Sequence, residues 1–270
     1  PKTVICVTGS SGKGSTCNLI VDIARKQGKT VVFNNKGSNL VTGILTALLD
    51  ASNLKGELKQ DILVTEIDER YTKLLFKYLK PNYVVITNIT RDQPPRHGHF
   101  EIVYEEIKKA ITKDMHLVLN ADDPFAQKFI LDGKNKYTLF GIGSNDYVYL
   151  DNKFENLNIT HCPKCNGKLL YNYYHCETLG DYSCANCDFK RKKPNMEVTK
   201  LDYEKSFVTV NNEYKFNIPF NTLFEVYNSL AAFTVCSLIK LNLDEACNTI
   251  SNMDPNLKIF NKYTINDRIV

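Results

Sequence analysis

Several things are scarce in this sequence, and each scarcity excludes a class. No window approaches the roughly 20 consecutive apolar residues of a membrane-spanning helix, so no helical span is expected. No secretory signal is visible. A disulfide framework is missing too: of nine cysteines, four fall in two close pairs and five stand singly, which is the arithmetic of a metal site and of a reducing, cytoplasmic setting. Charge of one sign is weak. The 34 Lys and Arg against 30 Asp and Glu leave +4, too little to argue for nucleic acid by itself. There are no internal repeats and no low-complexity tract. What remains is an ordinary globular composition, 43% hydrophobic and 24% charged over 270 residues, enough for one or two domains with a large core.

The chain is organised around Gly9-Ser10-Ser11-Gly12-Lys13-Gly14-Ser15-Thr16. A β-branched apolar run from Thr3 to Thr8 precedes it, and an apolar pattern at helical spacing follows from Cys17 to Gln27, with Gly28 where a helix C-cap is expected. Glycines between a strand and a helix N-terminus let backbone N–H groups approach phosphate oxygens closely, and the helix end adds favourable potential. Lys13 is placed to neutralise outer phosphates and the Ser15 hydroxyl to hold Mg²⁺. The usual phosphate loop has Ser or Thr directly after the lysine; here Gly14 stands there. A plain glycine turn with no ligand is the competing reading.

Strand-like runs at 30–34, 61–65, 83–88 and 115–120 alternate with helical patterns at 40–49, 71–79 and 101–111. Such alternation predicts an α/β fold with right-handed crossovers and a P-loop-containing, mainly parallel sheet. Functional residues should gather at the strand C-termini. Polar clusters do fall there, at Gly9–Ser15, Glu66–Glu69, Asn88–Arg96 and Asn120–Asp123. From about residue 158 the alternation stops, a β-like pattern runs over 196–219, and helices are expected at 225–240 and 243–250. These shifts divide the chain into a phosphate-loop domain of residues 1–157 and 194–270 and an insertion at 158–193.

Three clusters carry chemistry. Glu66, at the end of the strand expected beside the loop, is a hard oxygen ligand suited to complete a Mg²⁺ shell. Asp68 and Glu69 are evenly balanced between function and a solvated turn. The loop 87–99 offers Arg91 and Arg96 as anion binders, with His97 and His99 more ordinary exposed polar residues. Cys162-x-x-Cys165 and Cys184-x-x-Cys187, separated by 18 residues, fit a tetrahedral zinc ribbon closed by four thiolates, hence structural zinc (Zn²⁺) whose loss leaves nucleotide binding largely intact. His161, His175 and Cys176 compete less well as ligands. Strands are expected at 169–174 and 188–190. The run Lys190-Arg191-Lys192-Lys193 reads as a solvated edge; with Tyr171, Tyr173 and Tyr174 it also suggests a nucleic-acid-binding module.

Taken together, Gly9–Thr16, Thr65–Glu69, Thr87-Asn88 with Arg91-Asp92-Gln93, Leu119–Pro124 and Tyr227–Ala232 resemble the Mur ligase family over nearly the whole chain, matching its central ATPase domain. The resemblance implies an enzyme that uses ATP and Mg²⁺ to turn a carboxylate into an acyl phosphate, which an amine or ammonia attacks. Glu-x-Asp-Glu, Arg-Asp-Gln and the inserted four-cysteine ribbon resemble the branch that amidates the α-carboxylate of D-glutamate in the lipid II stem peptide, with a GatD-type glutamine amidotransferase supplying ammonia. That is a role in peptidoglycan biosynthesis, with no nucleic-acid partner. Carried over, Gly9, Ser11, Gly12, Lys13, Gly14, Ser15 and Thr16 bind ATP, Ser15 and Glu66 bind Mg²⁺, Lys13 and Glu66 are catalytic, Asn228 contacts the nucleotide near its base, and Arg268 reaches the phosphates. Gly14 instead resembles folylpolyglutamate synthase, the alternative within the family. Pro94-Pro95 and Glu225 also depart from the branch. The chain is expected to be a fragment that stops at the hinge to a C-terminal domain and does not turn over alone.

Overall fold

The structure is a computed structural model that describes residues 1–35, 39–90, 100–151, 161–218 and 222–253, with backbone alone for 264–265 and 268–269. Its centre is a nine-stranded sheet. In chain order the elements that build it are β1 (Thr3–Thr8), α1 (Lys13–Lys26), β2 (Val31–Phe33), α2 (Val41–Ala51), β3 (Ile62–Glu66), α3 (Thr72–Leu79), β4 (Tyr83–Ile86), α4 (Phe100–Ala110), β5 (His116–Asn120), α5 (Pro124–Asp132) and β6 (Tyr137–Ile142). A hairpin of β7 (Leu169–Cys176) and β8 (Leu179–Cys184) follows, then β9 (Met196–Asp202), β10 (Phe207–Val210), β11 (Tyr214–Asn217), α6 (Leu223–Leu238), α7 (Leu243–Ser251) and the short pair β12 (Thr264–Ile265) and β13 (Arg268–Ile269).

The sheet order is β11-β10-β9-β6-β5-β4-β1-β3-β2. Every pair from β2 to β9 is parallel, and β9, β10 and β11 add an antiparallel tail. This is the mainly parallel α/β sheet expected from the strand–helix alternation. Successive strand residues face opposite sides. Ile5, Val7, Val64, Val85 and Val118 meet α1, α6 and α7 on one face. Cys6, Val84, Ile86, Leu117 and Leu119 meet α3, α4 and α5 on the other. Both faces are covered, which is why the strands are unbroken apolar runs; each fully buried Ile, Val or Phe contributes about 1.5–3 kcal/mol over exposure. Helix α1 ends as expected, with Gly28 at φ 75°, its N–H on the Arg25 carbonyl and Lys29 N–H on that of Ala24.

Two elements of the main sheet and its covering helices escape the sequence reading, α5 and β6. Asp123 caps α5 by accepting the amides of Phe125 and Ala126, with Pro124 in the first turn. Its buried residues run consecutively from Pro124 to Gln127, so it shows no one-sided apolar period. Strand β6 carries Gly141 in mid-run, where a Cβ would meet Asp122 Oδ1. The hairpin also differs from expectation: the partner of β7 is β8, not residues 188–190, which contribute a single bridge from Lys190 to Ser183. Asn211 and Asn212 join β10 to β11 with φ 51° and 58°.

Candidate functional site

The glycine loop is held from below by β4. Ser10 N–H donates to Asn88 O (3.0 Å) and Ser11 N–H to Asn88 Oδ1 (3.1 Å). Thr87 Oγ1 donates to Ser11 O (2.6 Å), and the Ser10 hydroxyl bridges Thr90 O and N. Gly9 and Gly12 have φ 124° and 79°. A side chain at Gly9 would run into Thr87 and the Asn88 carbonyl, and one at Gly12 into the Asn228 amide, so both positions need glycine. Thr16 N–H makes the first helical bond, to Gly12 O. The amides of Lys13, Gly14 and Ser15 therefore have no intrahelical acceptor and lie at the positive end of a 14-residue helix. Ser11 is different: its amide and hydroxyl are both engaged by Asn88.

Lys13 folds back across the loop, donating to Gly9 O (2.6 Å) and to Glu69 Oε1 (2.9 Å). Glu69 is almost wholly buried, so this ion pair is shielded from solvent. Sequence alone left Asp68 and Glu69 equal. The structure separates them: Asp68 starts a tight turn and clasps Arg70 through two bonds, while Glu69 points inward. Glu66 reaches the loop from the tip of β3, the neighbour of β1. A Cβ at Gly14 would lie 3.1 Å from Glu66 Oε2, which accounts for glycine where a hydroxyl residue is usual. Burial raises the affinity of Glu66 for its proton; Lys13 and Asn39 counter that and Glu69 adds to it. The fully buried Thr8 and Thr16 hydroxyls, at either end of the loop, find no partner among the described residues. The site thus brings together amides, an ammonium and two carboxylates, a donor set that fits a phosphate chain with a divalent ion.

Among the other expected residues, Asn228 sits on α6 directly over Gly12. Ser15 lies in the first turn of α1, part-exposed. Arg268 opens β13, of which only the backbone is described. Arg91, Gln93, Arg96, His97 and His99 lie outside the described residues.

The polar tip of β5 is buried at Asn120, Asp122 and Asp123. Its Asp123 also accepts Ile89 N–H (2.6 Å), and burial pushes this carboxyl up to about 6 against the three amides that stabilise its charge. Asp122 is fully buried and accepts from Arg191 Nε (2.7 Å), Ile142 N–H (2.7 Å) and Tyr227 Oη (2.8 Å). Arg191 is therefore no part of a solvated edge, contrary to the reading of the basic run. His175, a rival zinc ligand by sequence, sits against the Ile142 carbonyl (2.8 Å), so its Nε2 carries the hydrogen. Burial lowers its proton affinity, with Asp122 pulling the other way.

The four paired cysteines converge. Their sulfurs all lie within 4.8 Å of one another, with Cys162 to Cys187 at 3.7 Å and Cys165 to Cys184 at 3.4 Å. A tetrahedral Zn²⁺ with sulfur ligands at ~2.3 Å requires S···S of about 3.8 Å. Each knuckle turns an amide onto its first sulfur, Lys164 N–H to Cys162 and Asn186 N–H to Cys184, both 3.3 Å. The donor set and spacing fit zinc; Cys176 and His175 lie outside it.

Residues 7–187 match the Mur ligase middle domain. The chain belongs to the Mur ligase family. Among curated Mur ligase relatives, the subunit MurT of lipid II isoglutaminyl synthase (glutamine-hydrolyzing) from Staphylococcus aureus (strain COL) is 30% identical over 240 residues, 88% of this chain and 53% of that protein. Its counterpart from Streptococcus pneumoniae is 32% identical over 242 residues, 87% and 53%. The chain thus spans about half the length of the curated relatives it matches. Among solved structures, a pseudomurein peptide ligase type C from Methanothermus fervidus superposes with TM-score 0.77 at 26% identity, covering 94% of this chain and 50% of that one. MurF from Acinetobacter baumannii shares the fold, with TM-score 0.67 at 15% identity over 99% of this chain and 49% of that one. Among the described residues no helix of this Mur ligase domain is long and apolar enough to cross a membrane.

Proposed function

We propose that this chain is the ATP-binding part of a carbon–nitrogen ligase that activates the α-carboxylate of D-glutamate in the lipid II stem peptide for amidation, with ammonia supplied by a GatD-type glutamine amidotransferase. The observation that carries the reading is the meeting of Lys13, the amides of Lys13 to Ser15, and Glu66 at one strand-to-helix crevice. The identity to MurT subunits supplies the substrate class. In this reading Gly9, Gly12, Gly14 and Thr16 shape the loop, and the amides and Lys13 bind the ATP phosphates. Ser15 and Glu66 hold Mg²⁺, which when bound neutralises phosphate charge and favours phosphoryl transfer to the substrate carboxylate. Ser11 serves through the loop's shape, since Asn88 occupies its polar atoms. Asn228 bounds the nucleotide from above Gly12, and Arg268 is assigned to the phosphates by the family resemblance alone.

We further propose that residues 158–193 form a zinc ribbon inserted into an ATP-binding domain of residues 1–157 and 194–270. The nucleic-acid alternative keeps only the exposed Lys190, Lys192 and Lys193 of its basic run, because Arg191 is taken up by Asp122. A second reading is a peptide ligase that joins an amino acid to the activated carboxylate; the pseudomurein ligase likeness favours it. Product analysis of the full-length protein separates the two. ADP release that requires ammonium, or glutamine plus a co-purifying amidotransferase, supports the amidation reading. Release that requires a free amino acid and ignores ammonia overturns it.

A further inference from the structure

One buried carboxylate, Asp122, lies between the cysteine hairpin and the elements that hold the glycine loop. Asp122 is bonded from β6 by Ile142, from α6 by Tyr227, and from beyond the hairpin by Arg191; the hairpin's Gly180 N–H also donates to its carbonyl (3.0 Å). The pair is fitted closely: at Gly141 a Cβ would meet Asp122 Oδ1, Pro194 and, at 3.2 Å, the Arg191 guanidinium. On the hairpin side, Arg191 is placed by the turn that the cysteines close. Cys184 N–H donates to Phe189 O and Arg191 N–H to Tyr182 O, both 2.8 Å, while Tyr182 Oη donates to Ala121 O (3.1 Å).

Two legs run from here to the loop, and both land on Ser11–Gly12. Along α6, Tyr227 adjoins Asn228, which covers Gly12. Along the strand tips, Asp123 holds Ile89 N–H and Asn120 Nδ2 holds Thr87 O (3.3 Å), while Thr87 and Asn88 hold Ser11. A buried aspartate that loses its arginine keeps only neutral donors, here Ile142 N–H and Tyr227 Oη, so displacing Arg191 is costly.

We infer that the four-cysteine hairpin sets nucleotide affinity at the glycine loop, with Arg191 and Tyr227 as positioning residues that act through Asp122 on Ser11–Gly12. The inference rests on the nucleotide reading above and departs from the expectation that loss of zinc leaves nucleotide binding largely intact.

The test titrates a non-hydrolysable ATP analogue with Mg²⁺ into the whole chain by calorimetry, in zinc-loaded and chelator-stripped forms of the wild type and of Tyr227→Phe. Circular dichroism reports folding and metal analysis reports zinc. Stripping weakens the analogue about 5- to 10-fold while the sheet stays folded. Tyr227→Phe weakens it several-fold with zinc retained, and the two changes together do no more than the larger alone. Saturating analogue tightens zinc by the same factor that zinc tightens the analogue, a reciprocity that a merely structural ribbon would not produce. An affinity unchanged within twofold in the folded, stripped chain, or effects that simply add, overturns the inference. Should stripping unfold the chain, unchanged affinity in zinc-bearing Tyr227→Phe overturns it equally. No binding by the zinc-loaded wild type sinks the nucleotide reading too.

Discussion

The glycine loop and the cysteine hairpin use the same local device on opposite supports. Both are tight turns that aim backbone amides at an electron-rich partner. In the loop, the turn is fixed by a neighbouring strand: Thr87, Asn88 and Thr90 hold Ser10 and Ser11 through the register of β1 and β4. In the hairpin, Lys164 and Asn186 amides already point at sulfurs, but the support is a two-stranded ladder outside the main sheet. A site on a nine-stranded core is organised before its ligand arrives. A site on two strands needs its ligand as part of its own stability.

Four tests would break or sharpen that contrast. Lys13→Ala or Glu66→Ala in the full-length enzyme should lower ATP-dependent acyl phosphate formation by about 10³-fold or more; undiminished ADP release in both would remove the assignment. Next is pH. The folded Asp123 carboxyl, at about 6 against an ordinary 3.8, keeps its proton to higher pH than the unfolded one. Stability from this group is therefore greatest below about pH 4, falls by roughly 2–3 kcal/mol as pH rises to about 6, and is level above. Urea unfolding across that range should show the slope in the wild type and a flatter one in Asp123→Asn. Gly12→Ala forces a side chain into left-handed backbone and against Asn228. It should cost about 1–3 kcal/mol, read as a lower Tm and weaker nucleotide binding, with one zinc per chain still bound. Asn88→Ala removes the bonds to Ser11 and should cost about 1–2 kcal/mol; a Tm within 1 °C of wild type would show that the loop holds its shape without β4.

The parts legible in the sequence were those whose chemistry is local. The strand, glycine loop and helix of residues 3–26 are contiguous, and the two cysteine knuckles announce themselves by spacing. Glu66 was found because it ends an apolar run. What escaped depends on distant partners. Four consecutive cations at Lys190 to Lys193 look alike in the chain, yet Arg191 is buried by a carboxylate 69 positions earlier. Asp68 and Glu69 are adjacent acids, and only the turn between them sends one to Arg70 and the other to Lys13. Asn88 was quoted within a motif, but its role as the loop's scaffold needs the parallel register of β1 and β4. Helix α5 is hidden despite a cap and a proline, because its buried residues run consecutively from Pro124 to Gln127 and leave no one-sided period.

The clasp between Lys13 and Glu69 has an electrical consequence. A triphosphate reaching the crevice meets an ammonium that already has an anion beside it, so arrival is an exchange of one negative group for another. The displaced carboxylate then needs countercharge in a place sheltered from water. A nucleotide that travels with its own divalent ion brings that charge along, and a bare one does not. Under the proposed function, the crevice would favour the ion-bearing nucleotide before any chemistry begins.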